Sequence, residues 1–289
     1  MSRIAIALLW LLHFLPLGVL AVLGNALGPI VYFAARRRRR VALVNLEKCF
    51  PDMPPGERTR LVRAHFRAVT RAFLEHAVLW WAPRARIERL VRLEGLEHLR
   101  ALGNAPVIIL VPHFVGLDAG GTRLACEIDA VSMYARQKDP HIDALLRHGR
   151  SRFGDQLLVS RQDGIRAVIR PVREGRPLYY LPDMDYGRRG ALFVPFFGVP
   201  AATMPGLARI AAATGARVLP FVTRMLPGGA GYVARFEPPW EDFPTDNVEA
   251  DTRRMNAYIE QKVREMPEQY YWVHRRFKTR PEGETGFYA

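Results

Sequence analysis

His113 and Asp118 stand five positions apart, directly after the apolar run Val107-Ile108-Ile109-Leu110-Val111-Pro112. Imidazole titrates near neutrality, so histidine is the usual general base at pH 7. A carboxylate on one ring nitrogen fixes the tautomer and stabilises the imidazolium that forms. His113 with Asp118 as its orienter could therefore draw a proton from a hydroxyl. The chain has no GxSxG elbow, and neither cysteine sits in a nucleophile's setting. The hydroxyl is thus expected to belong to a substrate, and Gly116 leaves backbone room for one. On spacing alone, a structurally satisfied histidine at a strand end fits as well.

Two further stretches could carry chemistry. Leu181-Pro182-Asp183-Met184-Asp185-Tyr186-Gly187-Arg188-Arg189 puts two acids, a glycine turn and two arginines after an apolar strand, where open α/β sheets bind ligands. Asp183 and Asp185 together suggest Mg²⁺, but the flanking Arg188 and Arg189 argue against a metal. His148-Gly149-Arg150-Ser151-Arg152 offers Arg150 or Arg152 for bidentate phosphate binding. A solvated helix face explains either arginine equally well.

These residues need a scaffold, and the pattern supplies one. From residue 86 onward, short β-type runs alternate with helical ones. Strands are expected at 91–94, 107–111, 130–134, 157–159, 178–182, 191–197, 218–223 and 232–236. Helices are expected at 97–101, 117–126, 141–153, 164–173, 205–214 and 247–266. This alternation predicts an α/β fold, a mainly parallel central sheet flanked by helices. Before it, Pro54 and Pro55 open a long amphipathic helix toward Trp80, on which His65 and His76 read as ordinary face residues.

Residues 4–35 carry no Lys, Arg, Asp or Glu. The run from Ile4 is long enough to span a bilayer, although Pro16, Gly18, Gly24, Gly28 and Pro29 also allow a broken or monotopic helix. Five arginines follow at 36–40 and read as a cytoplasmic stop that attracts anionic head groups. The expected division is a membrane anchor over 1–35 and a catalytic domain over 36–289. The 289 residues carry a net charge of +14 and a pI near 10.4, which points to anionic partners. Cys49 and Cys126 form neither a metal spacing nor a disulfide framework.

His113-Phe-Val-Gly-Leu-Asp118 matches the H-x4-D/E signature of the lysophospholipid acyltransferase superfamily. The chain resembles one branch of it, the late lauroyl- and myristoyl-transferases of lipid A biosynthesis. The markers are Asn45-Leu46 with Phe50-Pro51, Gly149-Arg150, Pro182-Asp183-Met184-Asp185-Tyr186-Gly187, Phe193-Val194-Pro195-Phe196-Phe197-Gly198, Leu219-Pro220-Phe221, and Pro267-Glu268-Gln269-Tyr270 with Trp272 to Pro281. The resemblance implies transfer of a fatty acyl chain from acyl carrier protein to a hydroxyl of a lipid A precursor, or a related anionic glycolipid. The setting would be the cytoplasmic face of a bacterial inner membrane. It implies no metal, no soluble cofactor and no nucleic acid. It makes His113 the base and Asp118 its support. Arg150 would engage acceptor phosphate or the oxyanion, and Asp183 would fix Arg150 or its loop. Many members of that branch have Glu at the position of Asp118, whereas Asp is normal in the glycerolipid branch. A lysophospholipid or ornithine-lipid acceptor therefore stays open, as does a membrane-tethered anion-binding protein without catalysis.

Overall fold

The computed structural model describes residues 2–288. In chain order the elements are α1 (Ser2–Leu12), α2 (Leu17–Ala34), α3 (Arg36–Cys49), α4 (Pro55–Trp81), α5 (Arg84–Leu90), β1 (Val91–Glu94), α6 (Leu96–Arg100), β2 (Val107–Leu110), α7 (Leu117–Leu124), β3 (Val131–Tyr134), α8 (Pro140–Ser151), β4 (Leu157–Ser160), α9 (Arg166–Arg173), β5 (Leu178–Tyr180), β6 (Leu192–Phe196), β7 (Val199–Thr203), α10 (Gly206–Thr214), β8 (Arg217–Met225), β9 (Tyr232–Phe236) and α11 (Val248–Glu265).

Seven strands form one sheet in the order β1-β9-β8-β2-β5-β3-β4. The five strands from β8 to β4 are parallel to one another. β9 turns back antiparallel to β8, and β1 follows β9. β2 is central, and all four of its residues are buried. A strand covered on both faces reads as an unbroken apolar run, which is what Val107 to Leu110 supply. The mixed α/β class with a mainly parallel sheet agrees with the sequence pattern.

One strand has no counterpart in that pattern. β6 and β7 form a separate antiparallel hairpin with Phe196 opposite Val199. The two-residue turn places Phe197 at φ 51° and Gly198 at φ 76°. Both are left-handed, the requirement of a type I′ turn. A phenylalanine at the first position hid this turn from composition.

The apolar N-terminus packs on the rest of the chain. Leu17, Leu20, Ala21 and Tyr32 of α2 are buried with the rest of the core. α2 lies along α4, with two glycines at the seam. A Cβ on Gly24 would stand 2.5 Å from the Arg71 Cα, and one on Gly28 would stand 2.7 Å from the Arg67 Cα. Glycines four apart let two helix backbones touch. The opposite face of α2 and much of α1 are apolar and exposed, including Ile4, Leu8, Leu11, Val22, Ile30 and Phe33, as is Phe14 in the turn between them. α2 is one described helix long and apolar enough to cross a membrane.

The arginines at 36–40 follow directly on α2 and form the first turns of α3. Arg38 donates to the Val273 carbonyl and Arg39 to the Tyr32 carbonyl, while Arg36, Arg37 and Arg40 are exposed. α3 buries Val41, Ala42, Asn45, Leu46 and Cys49. Both cysteines are free and buried.

Candidate active site

β2 ends at Leu110, and the chain then carries His113 over the C-terminal edge of the sheet. Three hydrogen bonds fix this residue. Its backbone N–H donates to Asp183 Oδ2 at 3.0 Å, and its ring Nδ1 lies 2.6 Å from Asp183 Oδ1. Its carbonyl accepts from the Tyr271 N–H at 3.0 Å. Asp183 is buried and His113 is nearly so. Burial pushes the Asp183 carboxyl up, but the His113 charge and its hydrogen bonds pull it down to about 2. An ionised Asp183 at Nδ1 leaves Nε2 with the lone pair when the ring is neutral.

This geometry corrects the expectation that Asp118 orients His113. The sheet explains why. β2 and β5 are parallel neighbours with Ile108 opposite Leu178. His113 and Asp183 each lie five residues beyond that pair, so one register brings them together. Asp118, five residues along the chain, has instead turned into the first turn of α7. There Oδ2 is 3.1 Å from His76 Nε2 and Oδ1 is 3.3 Å from Arg150. Burial pushes its carboxyl up, yet the Arg150 charge and the His76 hydrogen bond hold it well below the usual carboxylate range. Asp183 accordingly holds His113, not Arg150.

His113 opens into a cleft of about 800 Å³. It passes over the sheet edge, with Leu117, Gly121, Leu124, Ala125 and Tyr179 on one side and Met133, Ile165, Tyr180, Met204 and Gly206 on the other. Asp118, Arg150, Arg161, Asp185, His274 and Lys278 are among its polar groups. A mainly apolar cleft with charged groups set along it suits a lipid chain carrying a reactive or charged end.

The other expected residues divide. Asp185 is a loop clamp: its carboxylate accepts from the Gly187 N–H and from the Thr279 N–H and hydroxyl. Arg152 turns away, donating to the Leu79 and Ala82 carbonyls at the C-terminus of α4. Such carbonyls lack helical partners, which is why a basic residue suits them. Arg188 is exposed, donates to the Arg280 carbonyl and covers the Phe193 ring. Gly116 offers its space to β8 rather than to substrate, because a Cβ there would lie 2.9 Å from the Thr223 carbonyl oxygen.

Sequence reasoning marked residues 267–281 as family-like but gave them no place in the site, where they form a C-terminal strap. Residues 269–271 run against the His113 loop, with Val115 N–H donating to the Gln269 carbonyl and Phe114 bridging to Tyr270. Asn45 holds the strap by donating to the Trp272 and His274 carbonyls, both at 2.7 Å. His274 Nε2 accepts from the Asp185 N–H at 2.9 Å. Burial and nearby Arg276 lower its pKa to about 4. At pH 7 the ring is neutral, and its one proton sits on Nδ1.

The sequence matches the bacterial lipid A biosynthesis acyltransferases over residues 2–279. The chain belongs to that family. Among this acyltransferase's relatives, the lipid A biosynthesis lauroyltransferase of Escherichia coli (strain K12) is 36% identical over 286 residues, covering 98% of this chain and 93% of that protein. The lipid A biosynthesis palmitoleoyltransferase of the same strain is 32% identical, with 98% and 92% covered. The corresponding myristoyltransferase is 34% identical over 284 residues, with 93% and 88% covered. The crystal structure of the 1-acyl-sn-glycerophosphate acyltransferase of Thermotoga maritima aligns with 80% of this chain and 97% of that one, at 14% identity and a TM-score of 0.37.

Proposed function

We propose that this acyltransferase moves a fatty acyl chain from the thioester of acyl carrier protein to a hydroxyl of a phosphorylated, Kdo-bearing lipid A precursor. The observation that carries the reading is the His113–Asp183 pair at the wall of an apolar cleft, in a chain of this family. Nε2 of His113 takes the acceptor's hydroxyl proton as its oxygen attacks the thioester carbonyl. Asp183 stabilises the imidazolium. The tetrahedral oxyanion needs a donor that is in place beforehand, and the neutral His274 ring at the cleft supplies one through Nδ1–H. Collapse breaks the carbon–sulfur bond, and the departing thiolate takes the proton back from His113. No metal or soluble cofactor enters these steps.

The exposed apolar faces of α1 and α2 and the free arginines of α3 suit attachment to an anionic bilayer, where the acceptor resides. In a bacterial cell this is the cytoplasmic face of the inner membrane. The test is acyl transfer by the purified chain from acyl carrier protein to a Kdo-bearing lipid A precursor and, separately, to lysophosphatidic acid. Turnover of the precursor is expected, with His113→Ala losing at least about 10³-fold. Turnover of lysophosphatidic acid alone would overturn the acceptor. Near-normal turnover by folded His113→Ala would overturn the base.

A further inference from the structure

His76 lies on α4, one turn before Trp80, and both of its ring nitrogens face acceptors. Nδ1 is 2.7 Å from the Ala72 carbonyl oxygen, and Nε2 is 3.1 Å from Asp118 Oδ2. A neutral imidazole has one N–H and one lone pair. It can donate to one of these oxygens and must then aim its lone pair at the other. Two hydrogen bonds require the imidazolium. A protonated Asp118 would also resolve the geometry, but Arg150 on the other oxygen opposes it. Arg150, Asp118 and His76 therefore form a row with two cations on one carboxylate.

The remaining charged and titratable groups around His76 are committed elsewhere. Glu75 on the same helix pairs with Arg71 and accepts from the Tyr232 hydroxyl of β9. Tyr179 of β5 donates to the Leu117 carbonyl. Trp80 sets its edge against the His76 ring at 4.8 Å. Burial opposes a charge on the ring, but the Asp118 hydrogen bond and charge outweigh it and raise its pKa above the ordinary value.

The geometry points to His76 as a positioning residue: carried as a cation, it neutralises Asp118 so that Arg150 can hold a substrate anion in the cleft. Arg150 makes one 3.3 Å contact with Asp118, lines the cleft, and is about one-third exposed. It has five N–H donors in a fork that matches phosphate. With His76 charged, the row carries one net positive charge. With His76 neutral, Asp118 cancels Arg150 and the row carries none. The ligand chemistry is a phosphate monoester, the charged group of the acceptor proposed above. The inference rests on that reading only for the ligand's identity.

The experiment measures His76 directly and then its effect. ¹⁵N chemical shifts of the full chain in detergent micelles report the ring's protonation, independent of turnover. Imidazolium shifts for His76 at pH 7 are expected, moving toward neutral values in Asp118→Asn. Inorganic phosphate should bind about tenfold more weakly to His76→Gln, which can still hydrogen-bond Asp118 but carries no charge. His76→Lys should recover most of that loss. With the lipid acceptor, His76→Gln should raise KM about tenfold and change kcat less than threefold. KM of the parent should also rise as pH passes the His76 titration. A neutral His76 at pH 7, or phosphate binding unchanged in His76→Gln, overturns the inference. Charged His76 and weakened phosphate binding without lipid A acylation would overturn the proposed function instead.

Discussion

Replacing Asp183 by Asn separates the two carboxylates that could serve His113. Asp183 accepts at both oxygens, from the backbone N–H and from the ring. An amide has one acceptor oxygen. The backbone N–H cannot reverse its polarity, so the amide oxygen must face it and the NH₂ must face Nδ1. That arrangement favours a lone pair on Nδ1 and a proton on Nε2, the wrong tautomer for a base. The lost charge matters too. The Asp183 carboxyl lies at about 2 instead of 3.8, despite burial acting the other way. The ring charge, the two hydrogen bonds from His113 and nearby Arg276 together outweigh burial there, so the amide forfeits a net attraction for the imidazolium. With the tautomer penalty, kcat should fall by at least about 10³-fold and toward the roughly 10⁴-fold lost when a buried triad aspartate becomes asparagine. The assay is steady-state acyl transfer in micelles, with near-ultraviolet circular dichroism to verify folding. If folded Asp183→Asn stays within about fivefold of the parent while Asp118→Asn loses about 10³-fold, Asp118 is the orienter and the register argument fails.

Other outcomes follow from the packing. Gly24→Leu should lower stability by about 3 kcal/mol through overpacking on Arg71, read as a drop in Tm in micelles; an unchanged Tm would mean that α2 does not seat on α4 as described. His65 is fully buried and its pKa falls from 6.5 to about 4, chiefly through desolvation. The unfolded chain takes up a proton near pH 6.5 and the native ring only near 4, so stability is full above 6.5 and declines toward 4, by on the order of 3 kcal/mol. His65→Gln should flatten that acid limb of the Tm profile. Neutralising Arg36, Arg37 and Arg40 together should weaken binding to anionic vesicles by about 3 kcal/mol at low salt, near 10²-fold, because each basic residue at such a surface contributes about 1 kcal/mol. An unaffected partition coefficient would remove the arginines from membrane attachment.

Every strand but β7 was legible because each carries its own apolar or alternating run, and β2 announced its central place by having no polar residue. The identity of His113 and Arg150 as cleft residues was legible as well. The partner of His113 was not. Asp118 was nearest along the chain, and proximity in sequence stood in for proximity in space. Asp183 reaches His113 through the pairing of β2 with β5, a neighbour relation no local pattern encodes. His76 was invisible for the same reason: its meaning depends on α7 and α8 crossing the end of α4. Arg152 and Arg188 looked like anion ligands because composition cannot distinguish a guanidinium that closes a helix end from one that faces a ligand.

α4 is about 40 Å long at 1.5 Å per residue. It carries α2 on its flank through Gly24 and Gly28, and it ends at His76 and Trp80 beside the cleft. α2 runs antiparallel to it, so α1 and Phe14 come to the cleft end, where His13 nears Trp81 and Arg86 holds the Leu15 carbonyl. If the chain sits on the bilayer as proposed above, one stiff rod would set the height of the reaction over it. A substrate that stays in the leaflet would then reach the cleft by lateral diffusion in two dimensions. Rate should follow the acceptor's mole fraction in the membrane rather than its concentration in the whole sample, and adding inert lipid should slow turnover at constant bulk substrate.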